Sequence, residues 1–351
     1  MKHLNYLGNI SPEMPTLILH IGGAKCGSSA LQTFLTQNPN LKTVRNQEIE
    51  YWRVFPDKEE PKNFMFAPVL VEQSNSNKTG YINSSFPIFS NKCLHGVFAR
   101  FIEENSIDAN KVFVFSHEGW SGECQLSEAP ECTCENTNYR TVVYLSVRPQ
   151  MQMLIPAYLQ WILWSDKDTL ADALNFLKKI SDWAKQIHNS YKFGADEVIS
   201  VFTQDIVESF SETFSLDKGS IINPLNRKIN TSLPIEALVL LLRNRELRPG
   251  AHHGGIDFVL EKLIQKFEIP TNSVELIVPG EIVAAIDEFF TSSNAQLKDF
   301  LTENQVIDFN KKYVEAREKL LQNKGIRNIS EEKLDYVFLE KLVVALLTVY
   351  E

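Results

Sequence analysis

Residues 16–38 constrain this chain more than any other stretch. Thr16, Leu17, Ile18, Leu19, His20 and Ile21 follow Pro15 as a short apolar run of the kind a buried strand uses. Gly22, Gly23 and Gly27 then punctuate a turn. Leu31, Phe34 and Leu35 recur at helical spacing until Asn38 and Pro39 end the pattern. A strand, a glycine turn and a helix in that order make a candidate phosphate site. Glycines let backbone approach an anion, and a helix start offers unpaired N–H groups and a positive dipole end. The residues proposed to cradle the anion are Gly22, Gly23, Ala24, Lys25, Cys26, Gly27, Ser28 and Ser29.

Spacing narrows the chemistry. A nucleotide-triphosphatase loop reads G-x-x-x-x-G-K-[ST], with lysine directly after the second glycine. Gly22 and Gly27 keep that separation, but Ser28 fills the lysine position and the lysine stands inside the loop, at Lys25. This shifted pattern resembles the 5′-phosphosulfate loop of sulfotransferases that use 3′-phosphoadenosine 5′-phosphosulfate (PAPS). Cys26 replaces the first threonine of that loop, and Ser28 and Ser29 replace its hydroxyl pair. Residues 25–41 are similar to the matching segment of heparan-type glycan sulfotransferases, in which an acidic–aromatic stretch follows the loop helix and supplies the general base. Glu48, Ile49, Glu50, Tyr51 and Trp52 fit that stretch, so the resemblance implies Glu48 as the base.

Further candidates stand at strand ends. Residues 111–116 read as a strand that runs into His117 and Glu118, and ligands in open parallel sheets sit beyond the carboxyl ends of the strands. His117 and Glu118 are therefore catalytic candidates, with Glu118 the second candidate for the base; bacterial sulfotransferase-like proteins carry a similar S-x-E there. Residues 140–147 form another apolar run, ending at Arg148. This resembles the second PAPS signature, which implies that Arg148 holds the 3′-phosphate, a role its planar guanidinium suits. Tyr158 and Gln160 match the end of that signature, whereas Pro156 replaces its serine and should kink the helix. Arg227 and Lys228 precede a stretch like the family's N-x-S-L pattern and are candidates for the 3′-phosphate or adenine; a solvated basic turn is the competing reading. No lysine stands at the family's second lysine position, near Tyr81 to Phe86.

The chain's 351 residues, 44% hydrophobic and 23% charged, suit an ordinary globular protein with a sizeable core. A net charge of −9 argues against nonspecific nucleic-acid binding. No run reaches the roughly 18 apolar residues of a membrane span. The first ten residues lack the apolar core of a signal peptide, so cytoplasmic is the expected location. Cys124, Cys132 and Cys134 cluster in a polar loop whose spacing matches no standard zinc pattern; reduced thiols are expected.

The expected architecture is α/β, P-loop sulfotransferase-like: a parallel sheet of four or five strands flanked by helices, with a helical C-terminal region. One domain would cover residues 1–305, with inserted loops at about 56–100 and 119–139, and residues 306–351 would form a helical cap. Residues 170–191 read as one amphipathic helix, and Ser330 as the cap of a last, strongly apolar helix that is core or the seam of a homodimer. The expected activity is sulfuryl transfer from PAPS, leaving 3′-phosphoadenosine 5′-phosphate (PAP), to a hydroxyl or amine on a glycan or small molecule, with no metal required. A non-catalytic PAP-binding protein and a P-loop kinase using Mg-ATP are the alternatives.

Overall fold

The structure is a computed structural model and describes residues 14–23, 26–57, 64–72, 82–84, 94–105, 110–121, 138–165, 169–202, 205–223, 233–251 and 253–350. Its strands are β1 (Thr16–His20), β2 (Leu41–Lys42), β3 (Glu48–Pro56), β4 (Phe64–Pro68), β5 (Lys111–Ser116), β6 (Arg140–Val147) and β7 (Glu197–Phe202). Its helices are α1 (Ser28–Gln37), α2 (Leu94–Glu104), α3 (Gln150–Ala157), α4 (Leu170–Ile180), α5 (Trp183–Lys192), α6 (Ile206–Thr213), α7 (Ile235–Arg243), α8 (Gly255–Lys266), α9 (Gly280–Leu297), α10 (Glu303–Gln322) and α11 (Tyr336–Tyr350). The described residues fall into two compact units. The first comprises Met1–Arg148, Lys178–Arg227 and Phe290–Asn310; the second comprises Pro149–Leu177, Lys228–Phe289 and Lys311–Glu351. This partition differs from the single cut near residue 305 that the sequence suggests.

The first unit holds the sheet, in the order β2-β3-β5-β1-β6-β7, with β4 paired to β3. β3, β5, β1, β6 and β7 run parallel, and β2 and β4 are antiparallel additions on β3. The α/β class and the mostly parallel sheet agree with the sequence reading. Alternation builds both faces from the same strands. Val112 and Val114 of β5 join Ile18, Val142 and Ile199 against Leu31, Phe34 and Leu35 of α1 and Phe210 of α6. Phe113 and Phe115 turn the other way. Their rings lie 4.9–5.2 Å from those of Phe98 and Phe101 of α2. β4 and α2 fall within the stretch expected to be loop-rich.

Two local readings are corrected. Residues 170–191 form two helices, because Asp182 caps α5 by accepting from Lys185 N at 3.2 Å and so starts a new helix. The last helix is capped by Asp335, whose Oδ1 accepts from Val337 N and Phe338 N at 2.8 and 3.1 Å; Ser330 instead lies in a short 3₁₀ turn led by Asn328. In α11, Phe338, Leu342 and Ala345 are buried, while Tyr336, Val337, Val343, Val344, Leu347 and Val349 are exposed.

The second unit shows what Pro156 does. Proline lacks the N–H that would pair with the carbonyl four residues back, and α3 passes directly into a π-helical turn over Tyr158–Ile162. Leu163 N closes the wider ring on Tyr158 O at 2.9 Å. The expected kink is thus a change of helical pitch. Side chains satisfy the displaced carbonyls: Trp164 Nε1 donates to Leu159 O at 2.8 Å and Arg248 Nη2 to Gln160 O at 3.3 Å. Arg248 is itself fixed, stacked 3.8 Å over the Trp164 ring and ion-paired with Asp257 at 2.9 Å.

No helix among the described residues is long and apolar enough to cross a membrane.

Candidate functional site

The carboxyl ends of β1, β5 and β6 lie side by side in the first unit, since His20 is in register with Ser116 on one side and Tyr144 on the other. The chain crosses from one side of β1 to the other between β5 and β6, the switch point at which open parallel sheets bind ligands. The glycine turn leaves from β1 at this place, His117 and Glu118 follow β5, and Arg148 follows β6.

Each described glycine of the turn has its own physical reason. Gly27 has φ 92°, the left-handed conformation that ends the turn and starts α1. Gly22 and Gly23 do not need unusual dihedrals; they need the absence of a side chain. A Cβ at residue 22 would lie 2.3 Å from His20 Nε2 and 2.7 Å from Ser146 Oγ, and one at residue 23 would lie 2.3 Å from Cη2 of Trp183. The turn is therefore seated on two buried rings. Trp183 also donates from Nε1 to Arg148 O at 3.0 Å, tying the backbone beside the turn to the backbone after β6.

The start of α1 has the features of an anion cradle. Its cap residue Gly27 has no side chain to pair with the first amides, and no acidic residue stands in the first turn. Ser28 Oγ is buried with no partner among the described residues. Ser29 uses its carbonyl to accept from Thr33 Oγ1 at 2.8 Å. Ala24 and Lys25 lie outside the described residues.

Cys26 responds electrostatically to both charged candidates. Burial pushes its thiol up to about 12; the Arg148 guanidinium opposes that shift and the Glu118 carboxylate adds to it. The Arg148 guanidinium and the Glu118 carboxylate are thus both within electrostatic reach of the Cys26 sulfur. His117 backs this group: its Nδ1 accepts from Gly119 N at 2.8 Å, its ring stacks on Trp120, and burial pulls its pKa down to about 4. A neutral imidazole that already accepts at Nδ1 acts as a spacer and hydrogen-bond partner for the Glu118 turn.

Glu48 does not join this group. It is the first residue of β3 and is in register with Lys111, the first residue of β5, so it stands at the amino ends of the strands. Five residue steps along β5 separate that row from the one containing Ser116, roughly 16 Å at strand rise. Glu48 is exposed, 3.9 Å from Lys111 Nζ, and Glu50 takes the closer ion pair at 2.5 Å. Their neighbour Trp52 donates to Glu50 at 2.8 Å. Both carboxylates are accounted for by Lys111.

Tyr158 belongs to the second unit, where it is buried in the π-helical turn. Arg227 and Lys228 lie outside the described residues, as do Cys124, Cys132 and Cys134. Among the described residues no three His, Cys, Asp or Glu side chains gather as a metal set would.

Four residues that sequence reasoning passed over belong to the site: His20, Gln32, Ser116 and Trp183. His20 Nδ1 is 2.7 Å from Ser116 Oγ, and Gln32 Nε2 donates to the same oxygen at 3.0 Å. Trp183 opens an amphipathic helix and looks like core from its spacing alone. His20 and Ser116 had one legible signal, a polar residue closing an otherwise apolar strand. No protein-family model, no curated protein and no solved structure matches this chain.

Proposed function

We propose that this chain transfers a sulfuryl group from PAPS to a hydroxyl or amine acceptor, a glycan or a small metabolite, at the carboxyl ends of β1, β5 and β6. The reading rests on the lysine-in-loop motif and its resemblance to sulfotransferases. The observation that carries it furthest is that the turn, Glu118 and Arg148 leave from the neighbouring carboxyl ends of β1, β5 and β6. An uncapped helix start and an arginine leaving neighbouring strand ends suit a dianionic phosphate, and a carboxylate after the adjoining strand suits a proton to be removed.

Bound PAPS would supply an activated sulfuryl group on a phosphate leaving group. The amides of residues 27–29 and the hydroxyls of Ser28 and Ser29 would hold the 5′-phosphate, and Arg148 the 3′-phosphate. Lys25 would neutralise charge that develops on the bridging oxygen as the sulfur–oxygen bond breaks. Glu118 would accept the acceptor's proton as the new bond to sulfur forms. Glu48 standing at the other end of the sheet favours Glu118 as the base.

The test is PAP release from PAPS with a panel of hydroxyl and amine acceptors, in wild type and Lys25→Ala. Expected is turnover that falls about 10²-fold or more in Lys25→Ala with a much smaller change in PAP affinity, since the lysine acts on the transition state. PAP binding with no turnover on any acceptor would favour the non-catalytic reading, which the proline at position 156 supports. Tight Mg-ATP binding with no response to PAP would replace both with a kinase.

A further inference from the structure

His20 ends β1, immediately before the glycine turn, and its side chain is wholly buried. One face of the imidazole is fixed: Nδ1 is 2.7 Å from Ser116 Oγ, which also accepts from Gln32 Nε2 at 3.0 Å. The other nitrogen, Nε2, is buried with no hydrogen-bond partner among the described residues, and so is Ser146 Oγ. Both orphans face one place, Gly22, where a Cβ would lie 2.3 Å from Nε2 and 2.7 Å from Oγ. Burial pulls the imidazole down to about 3, so the ring is neutral at ordinary pH.

Buried polar atoms in folded proteins are bonded in the great majority of cases, and an exception calls for a specific reason. Here the exception points at a turn whose role is to wrap an anion. Either tautomer serves. If the Ser116 hydroxyl donates to Nδ1, Nε2 carries the proton and can donate to a turn carbonyl. If Nδ1 donates to Ser116, Nε2 can accept from a turn amide or from the Ser146 hydroxyl.

We infer that His20 is a positioning residue for this turn: Ser116 and Gln32 hold its ring so that Nε2, together with Ser146 Oγ, lies against Gly22 and supports the start of the turn. The inference rests on reading the turn as an anion site. It makes His20 part of the binding machinery without contact to the ligand, and it fits the lack of room for a Cβ at position 22.

Three substitutions separate positioning from packing. An asparagine amide reaches only the Nδ1 position, a glutamine amide reaches the Nε2 position, and leucine supplies bulk alone. His20→Gln should keep PAP and inorganic sulfate affinity within about threefold, while His20→Asn and His20→Leu lose ~10-fold or more. Amide hydrogen exchange over residues 21–28 should be faster in Asn and Leu than in Gln. Wild-type binding by His20→Asn, or equal losses in Gln and Leu at equal Tm, would overturn the inference. The ¹⁵N resonance of His20 Nε2 in the wild type gives a check that needs no variant to fold: it should shift on adding PAP, and no shift on saturation overturns the inference. If the wild type binds neither PAP nor sulfate, the sulfotransferase reading falls. The exchange comparison then decides on His20 alone, with faster exchange in Asn than in Gln supporting it and equal exchange overturning it.

Discussion

Two glutamates compete for the base, and the register of β3 on β5 separates them. Glu48 opens β3 opposite Lys111, whereas Glu118 follows β5 and acts electrostatically on Cys26 in the turn. Glu118→Gln should lower kcat by about 10²–10⁴-fold, the scale of a general base, with PAP affinity little changed. Glu48→Gln should stay within about threefold of wild type, because an exposed carboxylate 3.9 Å from a lysine contributes little. Steady-state kinetics on both variants reads the answer; an inactive Glu48→Gln beside an active Glu118→Gln would return the base to Glu48. The sequence could have pointed the same way. Glu48, Ile49, Glu50 and Tyr51 alternate polar and apolar, which is a strand pattern. A strand that begins at Glu48 puts that residue at the end of a parallel sheet where ligands do not bind.

At the scale of elements, the start of α1 carries the site, and its geometry depends on Gly27. With φ 92° and Ile206 Cγ2 3.2 Å from the Cβ position, Gly27→Ala is strained in backbone and crowded in space. It should cost about 1–2 kcal/mol of stability. Urea denaturation should show a lower midpoint at an unchanged m-value, and an unchanged midpoint would mean that the turn relaxes without strain. β1, α1, β5 and β6 were legible because each repeats its period over several apolar residues: Val112 and Val114 against Phe113 and Phe115 is a two-residue alternation, and Leu31, Phe34 and Leu35 is a helical one. What was not legible has no period. Pro156 announces a break in the helix but not its π-helical form, which is stabilised by Trp164 and by Arg248, the latter 88 positions along the chain from Gln160. The break between α4 and α5 turns on one aspartate, Asp182, inside a continuous amphipathic pattern.

At the scale of the whole molecule, the buried polar layer at the strand ends ties folding to pH. His20 and His117 have pKa values pulled by burial to about 3 and about 4, below the ordinary 6.5. Between those values and 6.5 the unfolded chain binds protons that the folded chain refuses, so stability falls as pH drops through that window and is unaffected by these groups above it. Each histidine contributes a slope of about 1.4 kcal/mol per pH unit at most. Tm measured from pH 7.5 to 4.5 should therefore decline below about pH 6.5, and His20→Gln should decline less steeply than wild type. Parallel curves would mean that His20 takes up a proton in the folded state. That same layer was the least visible part of the site in the sequence. A single histidine, serine or tryptophan adds no periodic signal, and its importance comes from long-range pairing such as His20 with Ser116, 96 positions apart.

The proposed function makes the turn after β1 a metal-independent site for a 3′-phosphorylated adenine nucleotide. Calorimetric titration of the wild type with PAP and with ADP, each in excess chelator and in excess Mg²⁺, tests it most directly. PAP should bind equally in both conditions, ADP should bind ~10-fold or more weakly for want of the 3′-phosphate, and Arg148→Ala should remove most of the difference. Binding of ADP that requires Mg²⁺, with PAP no tighter, would contradict it.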